Sequence, residues 1–196
     1  GHPVYFVMFY PDPEPGQRVA DVLAALRTFV KDVKTKHKKA PILYGNCQAG
    51  WMLIMLAADC QGLAGPVVTN GSPLSYWASS KEGNPMQIMG SLSGGVWGVR
   101  FLADLGAGEF DGAWLVQNFE NLNPANALWD KYYNLYSNID KESERFLDFE
   151  RWWNGFYRLS EAEITETTKN LFIGNKLERG EIILHGDCNI DLKNIK

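Results

Sequence analysis

The segment 41–53, which reads PILYGNCQAGWML, constrains the folding of this chain more than any other. A short apolar run from Ile42 to Tyr44 ends at Gly45, and a second apolar run with helical spacing begins at Trp51. Glycine is the usual residue where a chain turns sharply. The pattern therefore predicts a strand, a tight turn and a helix, with Cys47 at the apex of the turn.

The small residues around Cys47 indicate a nucleophile elbow. In the G-x-nucleophile-x-G pattern, the residues two before and two after the nucleophile must be nearly free of side chain, because the turn is so sharp. Gly45 meets this requirement, Ala49 has the smallest side chain after glycine, and Gly50 follows. The alternative is a buried structural thiol, as is common for intracellular cysteines. The predicted strand and helix on either side favour the elbow.

Composition limits the classes of partner. The chain has 196 residues, of which 45% are hydrophobic and 21% charged, as in an ordinary globular domain. A net charge of -4 offers no basic surface for nucleic acid and no polybasic membrane patch. No apolar run reaches the roughly 18 to 20 residues that span a bilayer, so no transmembrane segment is expected.

The three cysteines include no CxxC pair, which argues against a disulfide framework or a zinc site. They favour a reducing compartment, and we expect a cytoplasmic protein with no metal and no other cofactor. The chain opens on Gly1 and His2 without a methionine and leads at once into an apolar run. We therefore interpret it as a piece of a longer protein.

Alternating strand and helix patterns predict an α/β fold with a doubly wound, mainly parallel sheet. Residues 4–10 (VYFVMFY) are typical of a strand buried on both faces, and the proline-rich segment 11–16 ends it. Apolar residues then recur at helical spacing from Val19 to Val33, with lysines crowding the helix end. The strand leading to Cys47 and its helix come next, and residues 65–70 predict a third strand.

Ligands of such sheets bind at the carboxyl ends of the strands. Asp12, Cys47 with Gln48, and Asn70 with Ser72 come after the three predicted strands, so we expect them at one crevice. For Asp12, a role as a loop cap is the alternative. The backbone N–H of Gln48 is the expected oxyanion donor, and the positive pole at the start of the helix favours a thiolate.

The residue pattern changes twice along the chain, which predicts three regions. Residues 1–75 form the α/β core with the elbow, and residues 76–178 form a mainly helical, aromatic-rich cap. Aromatic stripes of this kind are mostly core, and a cap built from them also supplies an apolar chamber. Residues 179–196 predict a β-hairpin that leads to further core strands, with Gly186 and Asp187 as its turn and Asp191 as the cap of the residues after the hairpin.

The three histidines are poor candidates for a general base. His2 and His37 are expected at the surface, at the start of a strand and at the end of a lysine-rich helix. His185 lies in an LHGD sequence that is similar to a hydrolase strand carrying a triad acid, but the acid position falls on Asn189. Two further cysteines, Cys60 and Cys188, are interpreted as structural.

Residues 45–50 (GNCQAG) resemble the G-x-C-x-G-G box of polyhydroxyalkanoate synthases and depart from it only at Ala49. The resemblance continues in order through residues 118–133, 151–155, 170–177 and 180–196. More closely, the chain resembles an uncharacterised bacterial family, distantly related to those synthases, that is usually labelled 3-hydroxyalkanoate synthetase. Its members carry the phrases HPVYFVMFYPDPEPGQ and FENLNPAN nearly as they stand here.

The resemblance implies an α/β-hydrolase fold with a Cys-His-Asp triad. Acyl groups would pass from a hydroxyacyl-CoA thioester, a small-molecule substrate, through an acyl-cysteine at Cys47. The triad histidine and aspartate are expected beyond Lys196, and a second oxyanion donor upstream of His2. We therefore expect no turnover from residues 1–196 alone.

Two other functions remain open. A thioesterase or esterase on the same scaffold would use water as the acyl acceptor. A non-catalytic, hydrolase-like protein would bind a partner or the surface of a polymer granule, a hypothesis favoured by Ala49 because its methyl group could crowd the turn. Sheet edges left exposed would favour pairing with another chain, such as a second copy in a homodimer.

Overall fold

The computed structural model describes residues 1–75, 77, 94–185 and 188–195, which form a mixed α/β arrangement of helices and short strands. The elements up to the middle of the chain are α1 (Val19–His37), β1 (Leu43–Asn46), α2 (Gln48–Asp59), β2 (Val67–Asn70), α3 (Gly95–Leu105), β3 (Glu109–Asp111) and α4 (Ala113–Asn121). They are followed by a π-helical turn (Asn126–Asp130), α5 (Lys131–Ser137), α6 (Ile139–Trp153), β4 (Arg158–Ser160), α7 (Glu161–Thr167) and a second π-helical turn (Thr168–Ile173). The last elements are α8 (Lys176–Arg179), β5 (Ile182–His185), β6 (Cys188–Ile190) and a 3-10 turn (Leu192–Asn194).

A parallel strand–helix–strand unit holds the centre of the fold. β1 pairs with β2 in parallel, with Leu43 opposite Val67 and Asn46 opposite Asn70, and α2 is the crossover between them. This confirms the strand, turn and helix predicted around Cys47, as well as the strand after the helix. The arrangement is possible because α2 is apolar along nearly its whole length and can be buried between α1 and the strands.

The main core forms where α1 packs against α2. The apolar stripe of α1, from Val19 to Val30, is buried against the apolar side chains of α2, and the lysines of the last turn stay at the solvent-facing end. Full burial of a side chain such as Leu56 contributes about 1.5 to 3 kcal/mol to stability. The predicted amphipathic helix is therefore confirmed, and its buried stripe is what orients α2.

The C-terminal arm closes one side of this core. β5 and β6 pair antiparallel, with Ile182 opposite Ile190, and both isoleucines are buried in the main core. The side chain of Asp191 accepts a hydrogen bond from the Lys193 N–H at 2.9 Å, so the predicted cap is confirmed. The predicted turn at 186–187 lies outside the described residues.

A second, smaller core lies between α3, α7 and the antiparallel pair of β3 and β4. Ala103, Phe110 and Ile164 are fully buried there, with Leu102 and Leu159 packed against them. Phe110 can reach this core because β3 pairs with β4 over three residues, from Glu109 opposite Ser160 to Asp111 opposite Arg158. The region predicted as a helical cap therefore contains a small sheet as well as helices.

The strand predicted at residues 4–10 is not formed. The segment has no regular secondary structure and is exposed along its whole length, with Phe6 and Met8 85% and 86% exposed. A strand needs a neighbour for its backbone N–H and C=O groups, and the described residues provide none beside it. In place of a sheet partner, Tyr5 donates its hydroxyl proton to, or accepts one from, His37 Nε2 at 2.7 Å.

The sheet is correspondingly smaller than predicted. Within the described ranges, the six strands form three separate pairs, and β1 with β2 is the parallel pair among them. The face of this pair opposite α2 leaves Ile42, Tyr44 and Val68 exposed. A parallel sheet normally has both faces covered, so the α/β class is present while the doubly wound sheet stays a prediction.

The aromatic helices also differ from expectation. No residue of α4, α5 or α6 is buried, and Trp129 and Tyr136 are 76% and 82% exposed. α5 and α6 contact each other through the Lys131–Glu150 ion pair at 2.9 Å. α6 contacts α4 through the hydrogen bond that Trp153 Nε1 donates to Glu120 Oε1 at 2.9 Å. The expectation that the aromatic stripe belongs to the core is therefore wrong for these residues. The spacing of aromatic residues predicts that a helix has an apolar face, but it does not predict which other element packs against that face.

None of the helices in the described ranges is long and apolar enough to cross a membrane. This finding agrees with the absence of a transmembrane segment expected from the sequence.

A polar clasp around Gln17 joins the two cores. Its side-chain Nε2 donates to Glu163 Oε2 at 2.8 Å, and its backbone oxygen accepts from the Ser160 hydroxyl. Ser160 also caps α7 by accepting from the Glu163 N–H. Burial raises the pKa of the Glu163 carboxyl, although the hydrogen bond from Gln17 acts in the opposite direction. The folded state therefore holds a proton on Glu163 at a pH where the unfolded chain has released it.

This proton uptake predicts a pH-dependent stability. The Glu163 contribution is fully present below the pKa of the unfolded chain and is lost as the pH rises through the higher pKa of the folded state. In Glu163→Gln, which keeps an acceptor for Gln17, the free energy of unfolding should fall less between mildly acidic and neutral pH than in wild type. Urea unfolding at a series of pH values measures this. The control is Glu144→Gln on exposed α6, and equal pH slopes in Glu163→Gln and wild type would contradict the assignment.

Candidate active site

Cys47 lies at the turn between β1 and α2 in an unusual backbone conformation. Its φ of 51° and ψ of −122° are strained for any residue with a side chain, at a typical cost of about 1 to 3 kcal/mol. Two backbone hydrogen bonds hold the turn, from Cys47 N–H to the Asn70 oxygen at 2.9 Å and from Gly50 N–H to the Cys47 oxygen at 3.0 Å. The thiol is exposed at the apex. This is the local geometry that the elbow pattern predicts.

Two glycines make the turn sterically feasible. A Cβ at Gly45 would lie 2.8 Å from the backbone C and O of Ala49 and from the Gly50 nitrogen. A Cβ at Gly50 would lie 1.7 Å from Ser72 Oγ and 2.3 Å from Ser72 Cβ. Contacts of this kind cannot be relieved by rotating a side chain alone. Gly45 is therefore required because the backbone of Ala49 and Gly50 lies against it, and Gly50 is required because the Ser72 loop lies against it.

Ala49 does not crowd the turn. Ala49 is exposed, and the close contact at Gly45 is with the backbone of Ala49 rather than with the Ala49 methyl group. The expectation that the departure at Ala49 weakens the elbow is therefore wrong on steric grounds. The second position that must lack a side chain is Gly50, because Ser72 occupies the space beside it.

Asn70 and Ser72 lie beside Cys47, as expected from their place after β2. Asn70 Nδ2 donates to Asn46 Oδ1 at 3.0 Å, which ties together the carboxyl ends of β1 and β2. The Ser72 hydroxyl lies 3.4 Å from the Gly45 oxygen and 3.3 Å from the Asn70 oxygen, close to the limit of a hydrogen bond. These two side chains therefore support the turn from the β2 side.

The loop after β2 is anchored to α8. Ser75 Oγ donates to Glu178 Oε2 at 2.6 Å, and Asn175 Nδ2 donates to the same oxygen at 2.5 Å. These two hydrogen bonds, that of Ser75 first, lower the pKa of the Glu178 carboxyl. The sequence did not predict Glu178 as a residue near the site. Ser75 and Glu178 are about 100 residues apart in sequence, and no local pattern signals such a contact.

Gln48 is the first residue of α2. The N–H groups of the first helical turn have no acceptor inside the helix, so the Gln48 N–H is free to donate to a group bound beside Cys47. A negative charge at that point is also favoured by the helix dipole. The position suits the predicted role as an oxyanion donor.

Asp12 does not line this site. Its carboxylate lies 3.5 Å from Arg158 Nη1, and the Arg158 N–H donates to the Pro11 oxygen at 2.8 Å. Both contacts join the proline-rich segment to β4, because the strand predicted to carry Asp12 to the crevice is not formed. The expected pocket role and the alternative role as a loop cap are both replaced by an ion pair at the surface.

The described residues place no general base next to the thiol. Among them, no histidine or carboxylate makes a hydrogen bond with Cys47. His37 is bonded to Tyr5 at the end of α1, His2 is exposed, and the side chain of His185 lies outside the described residues. In the same ranges, no cluster of histidine, cysteine and carboxylate side chains could hold a metal ion.

Cys60 provides an internal contrast to Cys47. Its thiol is half-buried at the end of α2 and lies 3.4 Å from Asp59 Oδ2, which also pairs with Arg27. Burial raises the pKa of the Cys60 thiol, which disfavours the thiolate that a nucleophile needs. Of these two thiols, Cys47 is the accessible one.

The chain belongs to a family described as "Protein of unknown function (DUF3141)", whose model matches residues 1–196. A curated relative from Rhizobium meliloti, the "Uncharacterized protein in ackA 5'region", is 48% identical over 199 residues. The match covers 100% of this chain and 27% of the relative, so the chain spans about a quarter of that relative's length. No solved structure matches the chain significantly.

The contact between Gly50 and Ser72 predicts a specific steric coupling. Gly50→Ala should destabilise the protein by about 1 to 3 kcal/mol, the usual cost of overpacking, because the Ser72 loop must move. Ser72→Gly in the same chain should recover most of that loss. Urea unfolding of the two single variants and the double variant measures the coupling.

Ala49→Gly is the matched control, because it changes the neighbouring exposed position by the same methyl group. It should cost no more than about 1 kcal/mol, the helix propensity difference. If Gly50→Ala were as stable as Ala49→Gly, the close approach of α2 to the Ser72 loop would be wrong.

Proposed function

We propose that this chain carries the nucleophile of an acyltransferase resembling polyhydroxyalkanoate synthases, on an α/β-hydrolase scaffold. The substrate class is a hydroxyacyl-CoA thioester, and the intermediate is an acyl-cysteine at Cys47. One observation carries the proposal: an exposed thiol at a strained strand-to-helix turn that two glycines make sterically feasible. The synthase-like sequence around it supplies the substrate class.

The reaction follows from the chemistry of thiols. The Cys47 thiolate attacks the thioester carbonyl carbon, the bond from that carbon to the CoA sulfur breaks, and CoA leaves as a thiolate that takes up a proton. A hydroxyl group of the acceptor then attacks the carbonyl carbon of the acyl-cysteine and gives its proton to the base. The bond from that carbon to the Cys47 sulfur breaks, and Cys47 leaves as a thiolate. The Gln48 N–H donates to the carbonyl oxygen while it carries negative charge. The histidine base and its aspartate are proposed to lie outside residues 1–196.

Cysteine suits this exchange because its thiolate is both a good nucleophile and a good leaving group. The elbow also has a mechanical role. Strain at Cys47 persists because Asn70, Gly50 and Ser72 hold the turn, so the sulfur stays at the apex rather than relaxing into the helix.

A thiol used in this way must remain reduced, which supports a cytoplasmic location. The reaction requires no cofactor beyond the CoA carried by the substrate.

A thioesterase or esterase is the second candidate. Cys47 is exposed, so water can reach an acyl-cysteine formed there. The two activities share the first step and differ only in the group that attacks the intermediate. They are distinguished by the product, which is a free acid in the hydrolase and an ester of a second hydroxyacyl group in the synthase.

A non-catalytic binding protein is the third candidate, and it is favoured by the exposed aromatic face of α4, α5 and α6. Exposed patches of this kind commonly mark interaction sites. A second copy of the chain, in a homodimer, or the surface of a polymer granule would suit such a face. This candidate function does not require Cys47 to react.

Intact-mass analysis of the complete natural protein tests the first step. After incubation with 3-hydroxybutyryl-CoA and other acyl thioesters, the wild type should gain the mass of one acyl group. Cys47→Ala should lose the adduct entirely, whereas Cys60→Ala should keep it, because the Cys60 thiol is half-buried and disfavours ionisation.

An adduct that survives in Cys47→Ala would refute the assignment of the nucleophile. Absence of any adduct, while iodoacetamide still alkylates Cys47, would favour the binding protein. Release of free acid in the absence of a hydroxyacyl acceptor would favour the thioesterase.

A further inference from the structure

Two asparagine side chains flank Cys47 at the carboxyl ends of the parallel strands. Asn46 immediately precedes Cys47, and Asn70 is the partner of Asn46 in the β1–β2 register. Asn70 is also bonded directly to Cys47, because its backbone oxygen accepts from the Cys47 N–H at 2.9 Å. All three residues are exposed. An acyl group carried on the Cys47 sulfur therefore lies beside residues that bear free amide side chains.

The two amides lie on the face of the strand pair that α2 does not cover. β1 alternates between buried and exposed residues, and Asn46 is exposed on the side away from α2. In β2, Thr69 faces α2, so the next residue, Asn70, faces away from it. The pair before them in the register, Tyr44 with Val68, lies on the same exposed face. From Cys47 backwards along the strands, this surface is therefore first amide and then apolar.

The two amides are bonded to each other and keep further hydrogen-bonding capacity. Asn70 Nδ2 donates to Asn46 Oδ1 at 3.0 Å. Within the described residues, no other hydrogen bond engages Asn46 Nδ2 or Asn70 Oδ1, so one amide donor and one amide acceptor remain free. If both amides were turned over, the pair would still leave one donor and one acceptor. This capacity does not depend on how the amides are oriented.

A free donor beside a free acceptor indicates the chemistry of the acyl chain. A hydroxyl group accepts one hydrogen bond and donates another, so it can engage both amides at once. A carboxylate only accepts, so it would face the free amide oxygen without a donor to offer it. An unsubstituted chain would displace water from both amides without replacing the hydrogen bonds of that water. The pair is thus complementary to a neutral hydroxyl.

We propose that the amide pair of Asn46 and Asn70 binds the hydroxyl group of the acyl chain on Cys47 and so selects hydroxyacyl over unsubstituted acyl groups. Asn46 Nδ2 donates to the hydroxyl oxygen, and the hydroxyl group donates its proton to Asn70 Oδ1. The carbon chain beyond the hydroxyl lies on Tyr44 and Val68. This inference rests on the acyl-cysteine proposed above and adds the residues that determine its specificity.

Acylation of Cys47 in the complete natural protein tests this proposal. Intact-mass analysis measures the second-order rate constants of acylation by 3-hydroxybutyryl-CoA and by butyryl-CoA, which lacks only the hydroxyl group. Each rate constant is divided by that of the same thioester with free cysteine, which removes the difference in intrinsic reactivity. The wild type should prefer the hydroxyacyl donor about tenfold, or about 1.4 kcal/mol, as expected for a pair of neutral hydrogen bonds.

The test variant combines Asn46→Ala with Asn70→Ala. Its rate constant with 3-hydroxybutyryl-CoA should fall about tenfold more than its rate constant with butyryl-CoA, because only the first donor loses hydrogen bonds. Both substitutions keep the backbone oxygen at position 70 that holds the turn. Asn46→Ala alone should lose part of the preference and keeps the test valid if the double variant does not fold. Asn134→Ala, at an exposed position on α5, is the matched control and should keep the wild-type preference.

A merely structural role of the amide pair would slow both donors by the same factor. Such an equal fall in the double variant, or equal rate constants for the two donors in the wild type, would overturn the proposal and leave the acyl-cysteine in place. Absence of an adduct with every thioester would refute the acyl-cysteine itself and this inference with it. The two failures are therefore distinguishable.

Discussion

The site depends on the close approach of α2 to the loop after β2. Gly50 lies against Ser72 with no room for a methyl group, and the Cys47 N–H is bonded to the Asn70 oxygen. These contacts hold Cys47 in a conformation that a free chain would avoid. The free energy that maintains the strain comes from the burial of α2, whose Trp51, Met55 and Leu56 are among the most buried side chains of the protein.

The second constraint is the polar clasp that joins the two cores. Gln17, at the entry to α1, is bonded to Ser160 and Glu163 at the start of α7, more than 140 residues later in the chain. Because Glu163 is buried, this junction is sensitive to ionisation in a way that surface ion pairs are not. Ser160 of this clasp also lines an open cleft beside the entry to α1, so the stability of the clasp and the shape of that cleft are physically linked.

The local elements of the core and part of the site could be predicted from sequence. The strand, the sharp turn at Cys47, α2 and the amphipathic α1 all follow from periodicity and from the placement of glycine, which act over a few residues. The G-x-nucleophile-x-G pattern places the second tight position one residue too early, since Gly50 rather than Ala49 meets the tight contact. That contact is made by Ser72, whose position depends on the pairing of β2 with β1.

By itself, the sequence determined which segments are strands or helices near Cys47 and that the thiol stands at a sharp turn, because these properties depend on neighbouring residues. Only the tertiary structure decided that residues 4–10 are not a strand, that Asp12 pairs with Arg158 away from the site, and that Gln17 is bonded to Glu163. An apolar run becomes a strand only when a second strand satisfies its backbone groups. Charged side chains form a site only when distant segments meet, and neither condition is encoded in local spacing.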